Sequence, residues 1–240
     1  MKKANKGLII FLLVLVLVLG AAVAGMAWFL GSHIFVEGHA YPSGAQELDL
    51  RSRKLSVAEY EAVREQLPDC EIIWNVPFQG TVRDSNAASL SLTQLSAEDL
   101  DMLSYFPELK AVDAAGCRDY ELLMELQRRY PNIALEYTVN IGGTEYANTA
   151  TSVVATDLSD EEISLFAYLP ALETVDARAC KDTARLAETA STYENVKLQY
   201  QVELLGQTFT ESVTQARFEK PDAAQLAGKL PGLTSLKTVH

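Results

Sequence analysis

The segment IALEYTVNIGGTEY, residues 133–146, carries the reading of the fold. Ile133, Leu135, Tyr137, Val139 and Ile141 alternate with polar or small residues, the period-two pattern of a half-buried strand. Gly142-Gly143 then offers the pair of residues that a tight hairpin favours, with Thr144 to Tyr146 returning. The pattern stands again 63 residues earlier in CEIIWNVPFQGTVR (70–83) and 63 later in VKLQYQVELLGQTF (196–209). Trp74, Tyr137 and Tyr200 correspond, as do Val76, Val139 and Val202, and Gly80, Gly143 and Gly206. A period of this length marks a supersecondary unit that buries its apolar face against neighbouring copies.

Working outward, one full unit spans 89–151 and a second 152–214, with partial units at 46–88 and 215–240. Each full unit opens on an alternating strand, Ser89 to Leu92 in the first. A helix follows, with Ser96 as its N-cap, Leu100, Leu103 and Phe106 on one face, and Pro107 as its stop. Leu109 to Ala114 reads as the next strand. Gly116-Cys117 leads into a second helix capped by Asp119, with Leu122, Leu123, Leu126 and Tyr130 inward, ended by Pro131. The caps recur at the same spacing: Ser56, Asp119 and Asp182, then Ser96, Ser159 and Asp222. Ser56 with Glu59 and Ser159 with Glu162 both fit a capping box. The last strand-like stretch is Leu233 to Val239, an open sheet edge at the end of this sequence.

The first 30 residues differ in kind. Leu8 to Leu30 holds no charge, and at about 1.5 Å rise per residue it is long enough to cross a hydrocarbon core of about 30 Å. Residues 1–6 form a basic tail with Lys2, Lys3 and Lys6, which favours a cytoplasmic N-terminus and an extracytoplasmic remainder. The expectation is a single-pass signal-anchor over 7–30 in the cell membrane, a spacer at 31–44 rich in Gly, and a repeat domain over 45–240. The competing reading is a cleaved signal peptide, with Ala22-Val23-Ala24 before Gly25 as its site. Against it, the apolar run continues to Leu30, and Trp28 and Phe29 suit the outer interface of an anchor.

Beyond residue 30 the chain carries 17 Lys+Arg against 32 Asp+Glu, a formal charge of −15. That balance argues against nucleic acid as a partner, because phosphates need a basic footprint. Three cysteines in an exported chain do not make a disulfide framework. Cys117 and Cys180 stand 63 apart and Cys70 aligns with Ile133 and Val196, so all three read as buried thiols. No metal-ligand motif, phosphate loop or nucleophile motif appears, and His33, His39 and His240 lie outside the expected core. No catalytic, cofactor-binding or metal-ligating residue is assigned. The acids Asp157, Asp160, Glu161 and Glu162 lack the spacing of a calcium loop and suit a helix N-terminus instead. Strand alternation turns Asp49, Ser91, Asp113, Glu136, Asp176 and Gln199 outward. On stacked strands these six would form one acidic, hydrogen-bonding strip, the candidate partner-binding face.

Leu48-Asp49-Leu50, Leu90-Ser91-Leu92 and Val112-Asp113-Ala114 with Cys117 resemble the strand and Asn/Cys position of leucine-rich repeats. Phe106 to Asp113 and Leu169 to Asp176 resemble the helix-to-strand passage of that family. With Tyr130-Pro131-Asn132 and the aromatic-x-Val hairpin, the chain resembles membrane-anchored leucine-rich-repeat-like proteins of Gram-positive, clostridia-like bacteria. The resemblance implies an α/β solenoid of strand–helix units with β-hairpins, and a sheet face presented to a protein partner.

The expected function is a non-catalytic protein-binding module on the membrane, contacting a protein or another envelope component, without a cofactor. The alternatives are an envelope scaffold that forms homo-oligomers through the repeat domain, and a carboxylate-dependent envelope hydrolase, which would need two converging acids.

Overall fold

The computed structural model describes residues 6–217 and 230–239. It is a mixed α/β structure with one N-terminal apolar helix and many short strands in small sheets; among the described residues no sheet closes into a barrel. Contacts divide the chain into two compact units, one of residues 1–88 with 97–109, the other of 89–96 with 110–240.

In the first unit, α1 (Lys6–Ser32) has a mean hydropathy of 2.6 over Phe11–Ser32, long and apolar enough for a membrane span or a signal sequence. The spacer expected at 31–44 is instead folded. Strands β1 (His33–Val36) and β2 (His39–Pro42) form an antiparallel hairpin that starts where α1 ends. Ile34 and Val36 are buried, so the Gly and Ser content that suggested a linker belongs to a turn and its flanks. Then come β3 (Glu47–Asp49), α2 (Val57–Gln66), β4 (Glu71–Ile73) and the hairpin β5 (Asn75–Phe78) with β6 (Thr81–Asp84). β3 and β4 pair in parallel. The capping box of α2 forms as its sequence suggests: Ser56 Oγ accepts from Glu59 N, and Glu59 accepts from Ser56 N at 2.8 Å. Helix α3 (Ala97–Met102) also packs here. Trp74, 1% exposed, stacks on Tyr60 at 4.2 Å and meets Tyr105 edge-on at 5.7 Å, a core role in line with its place in the alternation.

In the second unit, β7 (Ser89–Ser91), β8 (Ala111–Asp113) and β9 (Ala134–Glu136) form a parallel three-stranded sheet, with α4 (Tyr120–Arg129) joining the last two. The hairpin β10 (Thr138–Ile141) with β11 (Thr144–Ala147) follows. The order then returns: β12 (Ser152–Val154), α5 (Asp160–Ser164), β13 (Thr174–Asp176), α6 (Thr183–Thr192), β14 (Lys197–Gln199), and the hairpin β15 (Gln201–Leu204) with β16 (Gln207–Thr210). β12, β13 and β14 are again parallel. Each strand of β12–β14 lies 63 residues after its counterpart in β7–β9. The thiols recur with it: Cys117 donates to the Leu92 carbonyl and Cys180 to that of Ala155. Asp119 and Asp182 cap α4 and α6 by accepting from Leu122 N and Arg185 N. Leu123 and Leu126 are fully buried, whereas Leu122 and Tyr130 are only half-buried. Tyr137 and Tyr200 are buried like Trp74.

The elements are shorter than periodicity suggests. The stretch Leu109 to Ala114 reduces to Ala111–Asp113, and the helix expected from Ser96 to Phe106 ends at Met102 and tightens into a 3₁₀ turn at Leu103–Tyr105. Of Leu233 to Val239, only β18 (Thr238–Val239) is strand, parallel to β17 (Gln215–Ala216). The cap candidate Asp222 lies outside the described residues.

All four hairpins turn through two residues of positive φ: Glu37-Gly38, Gln79-Gly80, Gly142-Gly143 and Leu205-Gly206. This is the type I′ turn, whose twist matches that of the strands it joins. At Gly116 a different constraint holds: an added Cβ would stand 3.0 Å from the Thr93 Cα, so a larger residue there would make the two backbone segments part by a few tenths of an ångström.

Candidate functional site

The six outward residues belong to three sheets. Asp49 belongs to the two-stranded β3–β4 sheet of the first unit. In the second unit, Ser91, Asp113 and Glu136 occupy one register row across β7, β8 and β9, all exposed. Asp176 and Gln199 share a row with Val154 in a separate sheet and are half-buried. Alternation sets which way a strand residue points, but not which strands share a sheet.

The aspartates have local duties. Each sits at the end of a strand and accepts the backbone N–H two residues on: Arg51 N to Asp49 at 3.0 Å, Ala115 N to Asp113 at 3.1 Å, Arg178 N to Asp176 at 3.2 Å. Such Asx turns direct the chain out of the strand. At Asp49 and Asp176 the residue two ahead is also an arginine that pairs with the carboxylate. Those hydrogen bonds from Arg51 and Arg178, side chain first and backbone second, hold both carboxyls down at about 2.

Asp113 is the exception. The position that holds Arg51 and Arg178 elsewhere holds Ala115. A cleft of about 340 Å³ opens there, lined by Asp113, Ala115, Glu136, Thr138, Asn148 and Thr149 among others. Asp113 and Glu136 are register partners, so their strands lie about 4.8 Å apart and both carboxylates address the same opening. Asn148 fixes one wall: its side-chain amide donates to the Leu135 carbonyl at 3.0 Å, and its backbone N–H to that of Tyr137 at 2.9 Å. On another side Arg118 donates to the Ala115 carbonyl at 2.9 Å and pairs with Glu145 at 3.0 Å. Arg118 is thus engaged with Glu145 and the Ala115 carbonyl, and no ion pair ties up Asp113 or Glu136 among the described contacts. This arrangement suits a lysine or arginine side chain from outside. Among the described residues no three His, Cys, Asp or Glu side chains gather as a metal-ligand set.

A second surface escaped the alternation argument. Pro77 and Val82 are cross-strand partners on the β5–β6 hairpin of the first unit, and Val82 is 64% exposed. Clefts of about 840 and 580 Å³ flank them, and Val57, Pro77 and Val82 line both. At the equivalent pair the β10–β11 hairpin has Asn140 and Glu145, bonded at 2.8 Å, the β15–β16 hairpin has Glu203 and Thr208, and the β1–β2 hairpin has Phe35 and Ala40. The apolar pair is thus shared by the two hairpins of the first unit, and the polar pair by the two of the second.

No known family model, curated protein or solved structure matches the chain. The class that the coordinates define is therefore a mixed α/β protein with one N-terminal apolar helix, and function rests on the site itself.

Proposed function

We propose that the protein is a membrane-anchored, extracytoplasmic protein-binding module, built as a leucine-rich-repeat-like solenoid and without catalytic activity. Residues 7–30 anchor it, with the basic tail in the cytoplasm, and the row Ser91, Asp113 and Glu136 contacts the partner. The observation that carries this reading is the uncompensated carboxylate pair Asp113–Glu136 at the one strand end where alanine replaces the arginine of the other copies. The partner presents a lysine or arginine to that cleft, since a charge-assisted hydrogen bond to two acceptors is the strongest contact it can offer.

The test is photocrosslinking in membranes, with the full chain as bait and the crosslinker at Ser91. Ala115→Arg rebuilds the missing arginine and fills the cleft. It should abolish the crosslinked species while leaving thermal unfolding unchanged or improved. The same species at the same yield from the variant would refute the reading.

A further inference from the structure

The junction between α1 and the first hairpin is built as a seat rather than a tether. Ser32 ends the helix and His33 begins β1, with no residue between. The base of the hairpin closes back on the helix terminus, for Ser43 donates to the Ser32 carbonyl through both its N–H, at 2.9 Å, and its hydroxyl, at 3.1 Å. His33 stacks on Phe29 at 4.2 Å, and its Nδ1 lies 3.0 Å from the Phe29 carbonyl. These contacts tie strand to helix, so the hairpin cannot swing freely on the helix end.

The exposed face of that junction is aromatic. Ile34 and Val36 are buried, and alternation puts Phe35 on the other face, 47% exposed. Its ring lies 6.1 Å from that of Phe29, edge-on, so it is directed back toward the last turn of the helix. Trp28, 72% exposed, stands on that turn as well. Aromatic side chains of this kind concentrate where hydrocarbon meets headgroup.

Charge follows the same boundary. Residues 31–54 carry three acids, Glu37, Glu47 and Asp49, against three bases, Arg51, Arg53 and Lys54. The residues beyond 54 carry 29 acids against 14 bases, so the whole negative excess lies outside this segment. One of these bases is held against the hairpin: Arg53 Nε donates to the Tyr41 hydroxyl at 3.1 Å, and Tyr41 is the cross-strand partner of Ile34.

We infer that the β1–β2 hairpin is seated in the outer headgroup layer of the bilayer, with Phe35 inserted beside Trp28 and Phe29, and that this seat sets the orientation of the first unit on the membrane. The inference rests on α1 being a membrane span. Its occupant is the lipid interface, chosen because Phe35 continues the apolar surface of the span and because no net negative charge opposes contact there.

The full chain, reconstituted in vesicles of phosphatidylcholine and phosphatidylglycerol, carries a nitroxide at Phe35→Cys, at Met26→Cys within the helix, or at Val82→Cys in the same unit. Wild type, labelled alongside, sets the background from the three buried native thiols. Collision with oxygen against a water-soluble nickel chelate reads depth. The expected order is deepest at 26, intermediate at 35 and aqueous at 82, with the ratio at 35 several-fold above that at 82. A deep label at 26 with an aqueous label at 35 overturns the seat and leaves the anchor standing. An aqueous label at 26 removes the anchor, and the seat with it. Equal lipid contact at 35 and 82 also overturns the inference, because the unit then has no preferred seat. Should Phe35→Cys fold poorly, Phe35→Trp read by brominated-lipid quenching above the wild-type signal decides the same question.

Discussion

Glu162 performs two tasks with one carboxylate, and removing it should loosen two places together. One oxygen accepts from Ser159 N at 2.9 Å, closing the capping box of α5, and the other accepts from Gly142 N at 2.8 Å, at the turn of the β10–β11 hairpin. Both backbone hydrogen bonds hold this carboxyl below its ordinary range, Ser159 first and Gly142 second. Losing the cap partner costs about 1 kcal/mol. Losing the bond to Gly142 costs about 1 kcal/mol more, the net value of a hydrogen bond to a charged acceptor at an exposed site. Glu162→Ala should therefore open this part of the second unit by about 2 kcal/mol, which accelerates hydrogen exchange at the Ser159 and Gly142 amides about 30-fold. Glu162→Gln keeps an acceptor and should show a smaller effect at both. The sign with pH follows from the depressed pKa. The contribution is complete above the unfolded value near 4.5 and is lost as pH falls below it, so wild type and Glu162→Ala should converge in acid. Unchanged exchange at Gly142 in Glu162→Ala, measured by NMR or mass spectrometry at neutral pH, would refute the strut.

Three further outcomes follow from the same contacts. Leu126→Ala empties a fully buried position on α4 and should destabilise the second unit by about 2–5 kcal/mol in denaturant unfolding; a loss under about 1 kcal/mol would mean the helix is not packed as described. Burial pushes the Cys180 thiol up to about 11, and Cys117 is equally enclosed, so neither should react with a thiol reagent at pH 8 until the protein unfolds, whereas rapid labelling of the native protein would show an open core. Asp49 and Asp176, held at about 2 by their arginines, contribute stability that is present above about 3.8 and fades as pH falls toward 2; Asp49→Asn and Asp176→Asn should flatten the acid limb of the unfolding profile, and an unaltered limb would show those ion pairs to be idle.

Much of the local structure was legible because it depends on near neighbours. Ser56, Ser159, Asp119 and Asp182 cap helices through bonds that reach only three residues, so residue type and spacing suffice to find them. The same holds for Gly142-Gly143, whose turn needs positive φ at both positions. Glu37-Gly38 obeys the same rule, yet it was hidden because Gly31, Ser32 and Gly44 around it gave the stretch the composition of a linker. The proposed face was half legible. Alternation placed Asp113 and Glu136 outward, but sheet membership depends on pairing between distant segments, which a repeat register does not reveal. Nor does alternation show which aspartate is neutralised. That information sat in the residue two places on, arginine at 51 and 178 and alanine at 115.

The hairpins themselves measure out the chain unevenly. They begin at His33, Asn75, Thr138 and Gln201, so the first interval is 42 residues and the later two are 63. The missing 21 correspond to one strand and its following helix: two parallel strands stand between the first pair of hairpins and three between each later pair. The Asp119 and Asp182 caps of the longer intervals have their counterpart in Ser56, whereas Ser159 caps a helix that the shorter interval lacks. The spacing between hairpins thus differs by one whole strand–helix step, while the two-residue turn that closes each hairpin stays the same.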